Sequence, residues 1–263
     1  MITGYSNTIS VTTTYDSDAQ AFFDRVTTAG GTLTTTEQNA TNQLVLDMKS
    51  AGIWTAMRAV YPMVGASAAA CAQNLKSSSF TGTFNGGWTF ASTGVKPDGS
   101  TGYMSTGANA SQFTANSQHF SNYSRQLTDT GYVELGLVSY DSNKFNYVMI
   151  QLPGNGIYAA IQGTDTLMDA GYTDPSYGLT ISNRRNSSFV QRYNRNNKLE
   201  VSSSQQGLGR LAVTMSAIQT PSPIYYGTCE IAFASMGDGL TDSDATALYN
   251  AVQTFQTTLS RQV

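Results

Sequence analysis

The side chains best suited to binding a ligand fall in one basic and aromatic run late in the chain. No acidic residue lies between Asp174 and Glu200, whereas five basic and three aromatic residues do: Arg184, Arg185, Arg192, Arg195, Lys198, Tyr177, Phe189 and Tyr193. Guanidinium groups interleaved with aromatic rings can hold an anionic sugar or a nucleic-acid single strand. The same run would also suit a sheet edge protected by charge, or a contact with an acidic partner. Our candidate ligand-binding residues are Arg184, Arg185, Arg192, Tyr193 and Arg195.

Acid–base catalysis would have to draw on few carboxylates. Glycosidases need two carboxylates about 5 to 10 Å apart across a cleft, and the chain has only four glutamates: Glu37, Glu134, Glu200 and Glu230. Glu134 and Glu230 fall in predicted strands among apolar or small neighbours, which makes them the pair to test. The Glu-x-Asp-x-x-Glu pattern of sandwich glucanases is missing. We therefore expect a protein without enzymatic activity.

The single histidine, His119, limits the remaining chemistry. A Ser-His-Asp triad or a His-based zinc site would depend on this one residue, and its alternating surroundings predict a strand histidine with a structural hydrogen bond. The chain has no Gly-x-Ser-x-Gly elbow, no glycine-rich phosphate loop and no His-Glu-x-x-His.

Asp98, Asp165 and Asp169 could supply oxygen ligands for calcium, but Asp98-Gly99 is more simply a turn. We expect no metal and no cofactor.

Aromatic residues elsewhere in the chain could stack on sugars. The sequence holds 15 Tyr, 11 Phe and 2 Trp, and four of these fall in or near predicted strands: Trp88, Tyr103, Tyr132 and Tyr140. An alternating strand turns half of its side chains toward the core, so packing is the default expectation for these four.

Composition excludes several classes of partner. The formal net charge is −3, whereas general nucleic-acid binding needs a basic field, so we expect no nucleic-acid partner. No apolar run approaches the roughly 18 residues of a membrane span, and the first seven residues lack the features of a signal peptide. We expect no membrane association and no export by a standard N-terminal signal.

Cys71 and Cys229 lie among small or apolar neighbours, which favours buried free thiols over a disulfide between them.

The first quarter of the chain carries helix signals. Asp16 is placed to cap a first helix, and Thr34 with Glu37 has the spacing of a capping box. We predict helices over Ala19–Ala29, from Thr34 to a stop at Gly52, and over Ile53–Tyr61.

From residue 80 onward the pattern changes to short strands separated by turns. Gly154-Asn155-Gly156 has the composition of a hairpin turn, and strand spacings near ten residues predict a sandwich or jelly roll. A closing helix from Asp242 to about Leu259 has Thr241 as its N-cap and one apolar stripe. The predicted strands are Trp88–Ala91, Tyr103–Thr106, Gln118–Ser124, Gly131–Tyr140, Phe145–Leu152, Gly156–Ile161, Gly178–Asn183, Ser187–Asn194, Lys198–Ser203, Leu211–Met215 and Glu230–Ser235.

Several sequence blocks, taken in order, resemble one protein family. They are Ile53–Met57, Tyr61–Gly65, Asn74–Lys76, Thr83–Thr89, Pro97–Tyr103, Ile231–Asp242 and the end through Arg261-Gln262-Val263. Over roughly residues 18–263 the chain resembles the concanavalin A-like, laminin-G-like jelly-roll module carried by structural proteins of tailed and related bacteriophages.

This resemblance implies a mainly β fold, a concanavalin A-like two-sheet antiparallel jelly-roll sandwich with an N-terminal helical segment and a C-terminal helix. It implies a non-enzymatic virion structural protein (capsid decoration, head-fibre or spike subunit), made in the bacterial cytoplasm, whose jelly roll binds host-surface or environmental glycans. Its partners would be other capsid or tail proteins and copies of itself, with trimers common among fibres and spikes. The alternatives are a tail-associated receptor-binding protein, a glycan depolymerase, or a scaffold without a ligand. The family offers no catalytic motif to transfer onto this chain.

We divide the chain into three parts on these grounds. Residues 1–15 form an extended N-terminal anchoring arm, residues 16–65 a helical segment, and residues 66–263 a jelly-roll domain with the C-terminal helix packed on it. The arm is too short for a core of its own, so it either joins another sheet or stays mobile. In the virion role that the resemblance implies, we expect it to dock on the particle while the jelly roll faces outward.

Overall fold

The computed structural model describes residues 14–125, 134–141, 144–152, 156–163, 167–170, 177–195, 197–204, 212–219 and 223–263. All but the last two residues of the predicted arm lie outside these ranges, as do Tyr132 and Asp165. None of the helices described is long and apolar enough to cross a membrane.

Four α-helices begin at side-chain caps that can be read from the sequence. They are α1 (Ser17–Thr28), α2 (Thr35–Ser50), the single turn α3 (Ala68–Cys71) and α4 (Asp242–Thr258). The Asp16 carboxylate accepts from the Asp18 backbone, and Thr34 and Glu37 form the predicted capping box at α2. A second capping box, Thr241 with Asp244, starts α4. Each cap satisfies backbone N–H groups that have no partner inside the helix, which explains where these helices begin.

The predicted helix over Ile53–Tyr61 is wrong. Trp54–Ala56 forms one 3₁₀ turn, and Met57–Tyr61 is a strand, β1. β1 pairs antiparallel with the last strand of the chain, with Val60 opposite Ser235. The buried Asn74 side chain also accepts from the Val60 backbone N–H at 2.9 Å and donates to the Arg58 carbonyl at 3.2 Å. This short segment ends at Pro62, and an isolated helix of two turns is only marginally stable. Hydrogen bonds to β17 and to Asn74 therefore stabilise it more as a strand than a helix would.

The strands form two antiparallel sheets and a small hairpin. Sheet A has the order β13-β12-β11-β6-β17-β4-β3, with β1 also on β17; sheet B has the order β10-β9-β8-β7-β14-β5-β2; β15 pairs with β16. Their bounds are β2 Thr83–Asn85, β3 Trp88–Ala91, β4 Gly94–Pro97, β5 Tyr103–Asn109, β6 Gln118–Ser124, β7 Glu134–Asp141, β8 Lys144–Leu152, β9 Gly156–Gly163, β10 Leu167–Ala170, β11 Gly178–Arg184, β12 Phe189–Asn194, β13 Asn197–Ser202, β14 Ala212–Met215, β15 Ala217–Gln219, β16 Pro223–Tyr226 and β17 Ile231–Gly237. The predicted two-sheet antiparallel sandwich with flanking helices is confirmed.

Sheet A is the middle layer of three. One of its faces packs under α1, α2 and α4, where Tyr123 and Phe233 of the sheet join Phe22, Leu44 and Phe255 of the helices. Its other face packs on sheet B, and every residue of β6 and β11 is therefore buried. A strand in this position has no solvent face, so its polar residues need partners inside the protein.

The two cysteines are free and buried, as the sequence predicted. Burial raises the pKa of the Cys71 thiol to about 12. Both residues therefore act as small apolar side chains in the core.

Candidate functional site

Arg184, the first of the predicted ligand-binding residues, is an interior side chain. It is 0 % exposed at the end of β11. Its Nε donates to the Ile161 carbonyl at 2.5 Å, and Nη1 donates to the carbonyls of Asn186 and Ser203 at 3.1 and 2.9 Å. Burial lowers the pKa of its guanidinium to about 10. Arg184 thus ties sheet A to sheet B and does not meet a ligand at the surface.

The other four predicted residues divide between interior and surface. Arg192 and Tyr193 are buried, and the Tyr193 hydroxyl donates to the Asp242 carboxylate at 2.7 Å. Arg185 is exposed, while Arg195 is half-buried with its guanidinium 4.1 Å from the ring centre of Tyr177. The structure therefore does not bring the five together on one surface. Strand alternation turns Arg192 toward sheet B and Tyr193 toward the helices.

A surface groove of about 480 Å³ lies instead beside the β3–β4 hairpin, at the edge of sheet A. The hairpin register places Trp88 opposite Pro97 and Thr89 opposite Lys96. The groove combines an indole, a hydroxyl, an ammonium and a carboxylate, and its lining residues are Gly87, Trp88, Thr89, Lys96, Pro97 and Asp98.

Trp88 is held in a fixed orientation by the core behind it. Its ring is half-buried, and its Nε1 donates to the Asn85 carbonyl at 3.0 Å. The Phe84 ring meets it edge-on with 4.9 Å between ring centres, and Phe84 packs in the same way on Phe90. The partly exposed indole is thus supported by an aromatic cluster, which lowers the entropy cost of stacking a ligand on it.

Asp98 organises the turn on the other side of the groove. Its Oδ1 accepts from the backbone N–H groups of Ser100, Thr101 and Gly102 at 2.9, 2.7 and 2.9 Å, and its Oδ2 accepts from the Thr101 hydroxyl at 2.5 Å. These donors, with the Thr101 hydroxyl first, hold the pKa of the Asp98 carboxyl well below its usual range. The interpretation of Asp98-Gly99 as a turn, rather than a calcium site, agrees with this geometry.

A glycine is required where this turn meets the hairpin. A Cβ on Gly87 would lie 2.5 Å from Asp98 Oδ2. The glycine therefore allows the carboxylate to approach the hairpin backbone, and it keeps Asp98 at the wall of the groove.

Such a lining is suited to sugars. The apolar C–H face of a sugar ring packs on an indole, and its hydroxyls exchange hydrogen bonds with carboxylate, ammonium and hydroxyl groups. Trp88 was among the four aromatic residues that the sequence singled out. Tyr103 is half-buried on β5, and the Tyr140 side chain lies outside the described part of the chain.

His119 has the structural role that its sequence context predicted. Its Nδ1 lies 2.6 Å from the Asp238 carbonyl, and its Nε2 lies 3.2 Å from the Ser235 hydroxyl, which in turn bonds Ser121 at 2.6 Å. All three side chains are buried, and burial lowers the pKa of the imidazole to about 4. This serine–histidine cluster is enclosed between β6 and β17, where a substrate does not reach it.

Glu230, one of the two carboxylates considered for catalysis, does not line the groove. It is half-buried, forms an ion pair with Arg125 Nη1 at 2.9 Å, and accepts from the Thr93 hydroxyl. The side chains of Glu134 and Asp169 lie outside the described part of the chain. Among the residues that the structure describes, no cluster of three or more His, Cys, Asp or Glu side chains could hold a metal ion.

No protein-family model matches this chain, and a search of curated proteins gave no significant match. Solved structures do resemble it. One is domain 4 of AbnA, a GH43 extracellular arabinanase from Geobacillus stearothermophilus, in complex with arabinotriose: the identity is 13 %, the match covers 73 % of this chain and 98 % of that one, and the TM-score is 0.52. Another is the binding domain of botulinum neurotoxin serotype D, at 11 % identity, with 78 % of this chain and 53 % of that one covered and a TM-score of 0.50.

A tailspike protein of bacteriophage CBA120 is also similar, but more distantly. The match has 8 % identity, a TM-score of 0.42, and covers 65 % of this chain and 29 % of that one, which is too weak to support an argument about origin. At such identities a structural likeness shows the fold and not the ligand. By its strands, its sheet order and these neighbours, the chain is a two-sheet antiparallel β-sandwich of the jelly-roll type.

Proposed function

We propose that this chain is a non-enzymatic structural subunit of a bacteriophage virion that binds glycans in the groove beside Trp88. The glycan-binding part of this proposal rests on the Trp88 indole. It is half-exposed, its Nε1 is hydrogen-bonded to the protein, and Lys96 and Asp98 flank it. A domain with the same fold was solved in complex with arabinotriose, which is compatible with this use of the fold. The virion part is supported by the resemblance of the sequence blocks to phage structural modules.

The groove favours a neutral polysaccharide over an anionic one. Its lining contains one ammonium and one carboxylate, so their charges balance. Because the pKa of Asp98 is held well below its usual range, the carboxylate keeps its negative charge at every pH above about 4 and continues to balance Lys96. Trp88 would supply the apolar contact area, and the two charged groups would select the hydroxyl arrangement of the sugar.

Replacing Trp88 with alanine should weaken glycan binding at least about tenfold, because the stacking surface is lost. Tyr225→Ala is the matched control, since Tyr225 is 54 % exposed and does not line the groove. Glycan-array screening followed by calorimetry on the best ligand measures the effect. Because Trp88 also packs on Phe84, the exposed Lys96→Ala change serves as a second variant that leaves the core intact. Binding that is unaffected by both groove variants would refute this site.

The absence of catalysis is tested with the same polysaccharide. We expect no release of reducing ends by the wild-type chain over a prolonged incubation. If the wild-type chain releases reducing ends and Glu230→Gln or Glu134→Gln abolishes this release, the depolymerase alternative is established. The two variants would then identify the acid–base pair.

Removal of residues 1–13 should abolish incorporation of the protein into virus particles, because these residues form most of the proposed anchoring arm. The deletion should stop before Tyr15, whose ring packs edge-on against Phe23 with 5.0 Å between centres and whose hydroxyl donates to Asn39 at 3.2 Å. Mass spectrometry of purified particles measures incorporation, and an equal thermal midpoint for the two proteins controls for folding. Full incorporation of the truncated protein would disprove the anchoring role.

Other capsid or tail proteins are the proposed partners, and we propose that the subunit itself assembles as a homotrimer. Light scattering of the purified full-length chain gives the oligomeric state directly.

A further inference from the structure

The inner face of sheet A carries polar side chains where a sandwich normally packs apolar ones. Residues alternate along β6 and β11, so Tyr123, Leu179 and Ile181 face the helices, whereas Asn122, Thr180 and Ser182 face sheet B. We call these last three residues the inner polar patch. Each is at most 1 % exposed.

Strand register places the members of the inner polar patch side by side. Asn122 on β6 is directly opposite Thr180 on β11, and Ser182 follows Thr180 on the same face of the strand. Directly opposite residues of an antiparallel pair have Cβ atoms about 5 Å apart, so the three polar side chains are neighbours on the face turned to sheet B.

The patch is not satisfied by the protein. Within the residues that the structure describes, Asn122 Nδ2 and Oδ1, Thr180 Oγ1 and Ser182 Oγ have no hydrogen-bond partner. The neighbouring Asn183 faces the helices and is fully engaged, donating to Gln191 and the Leu240 carbonyl and accepting from the Leu240 N–H. Buried polar groups without a partner are costly and rare, so their grouping on one face indicates a bound molecule.

Two guanidinium groups lie beside the inner polar patch. Arg192 lies opposite Ser182 in the sheet register and is 4 % exposed, and Arg184 lies two residues beyond Ser182 on the same face. The Arg184 guanidinium donates to neutral oxygens, those of Ile161, Asn186 and Ser203. A buried guanidinium bonded to neutral groups keeps its full charge, which favours an anion nearby.

We propose that the inner polar patch binds a small tetrahedral oxyanion, such as sulfate or phosphate, between the two sheets. The hydroxyls of Thr180 and Ser182 and the amide of Asn122 donate to its oxygens, while Arg184 supplies the positive potential. The anion would join the two sheets at the place where their facing side chains are not apolar, and it would therefore stabilise the sandwich.

The test is equilibrium unfolding of the full chain in increasing sodium sulfate or phosphate, with sodium chloride at matched ionic strength as reference. Unfolding opens the sandwich, so the burial of the patch does not block exchange of the anion. We expect a stabilisation that rises with the logarithm of the oxyanion concentration once this exceeds the dissociation constant, as binding to a single site in the folded chain requires. General stabilisation by kosmotropic anions rises in proportion to their concentration, and it is the same in every variant.

Thr180→Val should raise the dissociation constant for sulfate, obtained by fitting the logarithmic stabilisation, at least about tenfold, because one donor to a charged ligand is lost. Ser182→Ala is the second variant if Thr180→Val folds poorly. Thr41→Val is the matched control, because Thr41 is also 0 % exposed with an unpartnered hydroxyl but lies on α2. A response that is proportional to sulfate concentration throughout, or that Thr180→Val and Ser182→Ala leave unchanged, would overturn the proposal. So would logarithmic stabilisation by a neutral monosaccharide without any effect of sulfate.

Discussion

Replacing Arg261 with methionine should lower the free energy of unfolding by at least about 3 kcal/mol, because it removes the donor of four buried hydrogen bonds. Arg261 is 1 % exposed. Its Nη1 donates to the Met63 carbonyl at 2.8 Å, its Nη2 donates to the carbonyls of Pro62 and Ala232 at 2.7 and 2.9 Å, and its Nε donates to Gln256 Oε1 at 2.6 Å. One side chain near the end of the sequence thus joins the segment after β1, the strand β17 and the helix α4.

The backbone that Arg261 holds is itself strained, which adds to the expected loss. Met63 has a φ of +49°, in the left-handed region that a non-glycine residue adopts at a cost of about 1 kcal/mol. Without the guanidinium, the carbonyls of Pro62 and Met63 would remain buried with their donor removed. Methionine fills a similar volume, so the loss would report the hydrogen bonds rather than a cavity.

Arg58→Met is the control for this measurement, since it makes the same change at the surface. Arg58 donates to Asp238 Oδ1 from Nε and Nη2 at 3.1 and 3.0 Å, and its side chain is 42 % exposed. Exposed ion pairs contribute about 1 kcal/mol or less. Urea denaturation of the three proteins at neutral pH gives the comparison, and similar losses for the two variants would contradict the role assigned to Arg261.

The free energy of unfolding should fall by about 3 kcal/mol as the pH is lowered from 6.5 to 4. Above pH 6.5 it should level off. Burial lowers the pKa of His119 from 6.5 to about 4 in the folded chain. Between these two values the unfolded chain binds a proton at this residue and the folded chain does not, so stability rises with pH across the window. Asp16, Asp98 and Asp242 have pKa values lowered from 3.8, so their contribution is lost only at still lower pH.

His119→Asn isolates this residue. The asparagine amide can still donate toward the Asp238 carbonyl, as the Nδ1–H of the neutral imidazole does, but it does not titrate. Unfolding free energies of both proteins, measured from pH 4 to 8, should show a slope between pH 4 and 6.5 in the wild type and a nearly flat line in the variant. The same slope in both proteins would assign the effect to other groups.

Local sequence signals accounted for where most elements begin and end. The capping box at Thr34 and the N-cap at Thr241 predicted two helix starts, and the strands Trp88–Ala91 and Gln118–Ser124 have the predicted bounds. A cap or an alternating run is complete within a few residues, so the physical cause of each element lies inside the segment itself.

The strand β1 shows where local signals were not enough. Met57–Tyr61 has an apolar pattern that fits a helix turn as well as a strand, and its partner β17 lies at the other end of the chain. Backbone pairing with β17 and the Asn74 side chain decided between the two. No window of neighbouring residues contains that information.

The same distinction applies to the candidate sites. The sequence named Trp88 among four aromatic residues able to stack on sugars, with core packing as the default, and it identified Asp98 as a turn residue. The pairing of β3 with β4 was needed to place both at one groove. Arg184 and Arg192 were identifiable as a basic cluster, yet their burial follows from sheet A lying between the helices and sheet B.

By itself, therefore, the sequence determined most of the longer strands, the three long helices, the two free thiols and the scarcity of acid–base groups. Tertiary structure alone decided which side chains meet a ligand and which are enclosed. The physical reason is that burial depends on the layers that pack on a strand from distant parts of the chain, whereas caps, turns and alternation depend only on neighbours.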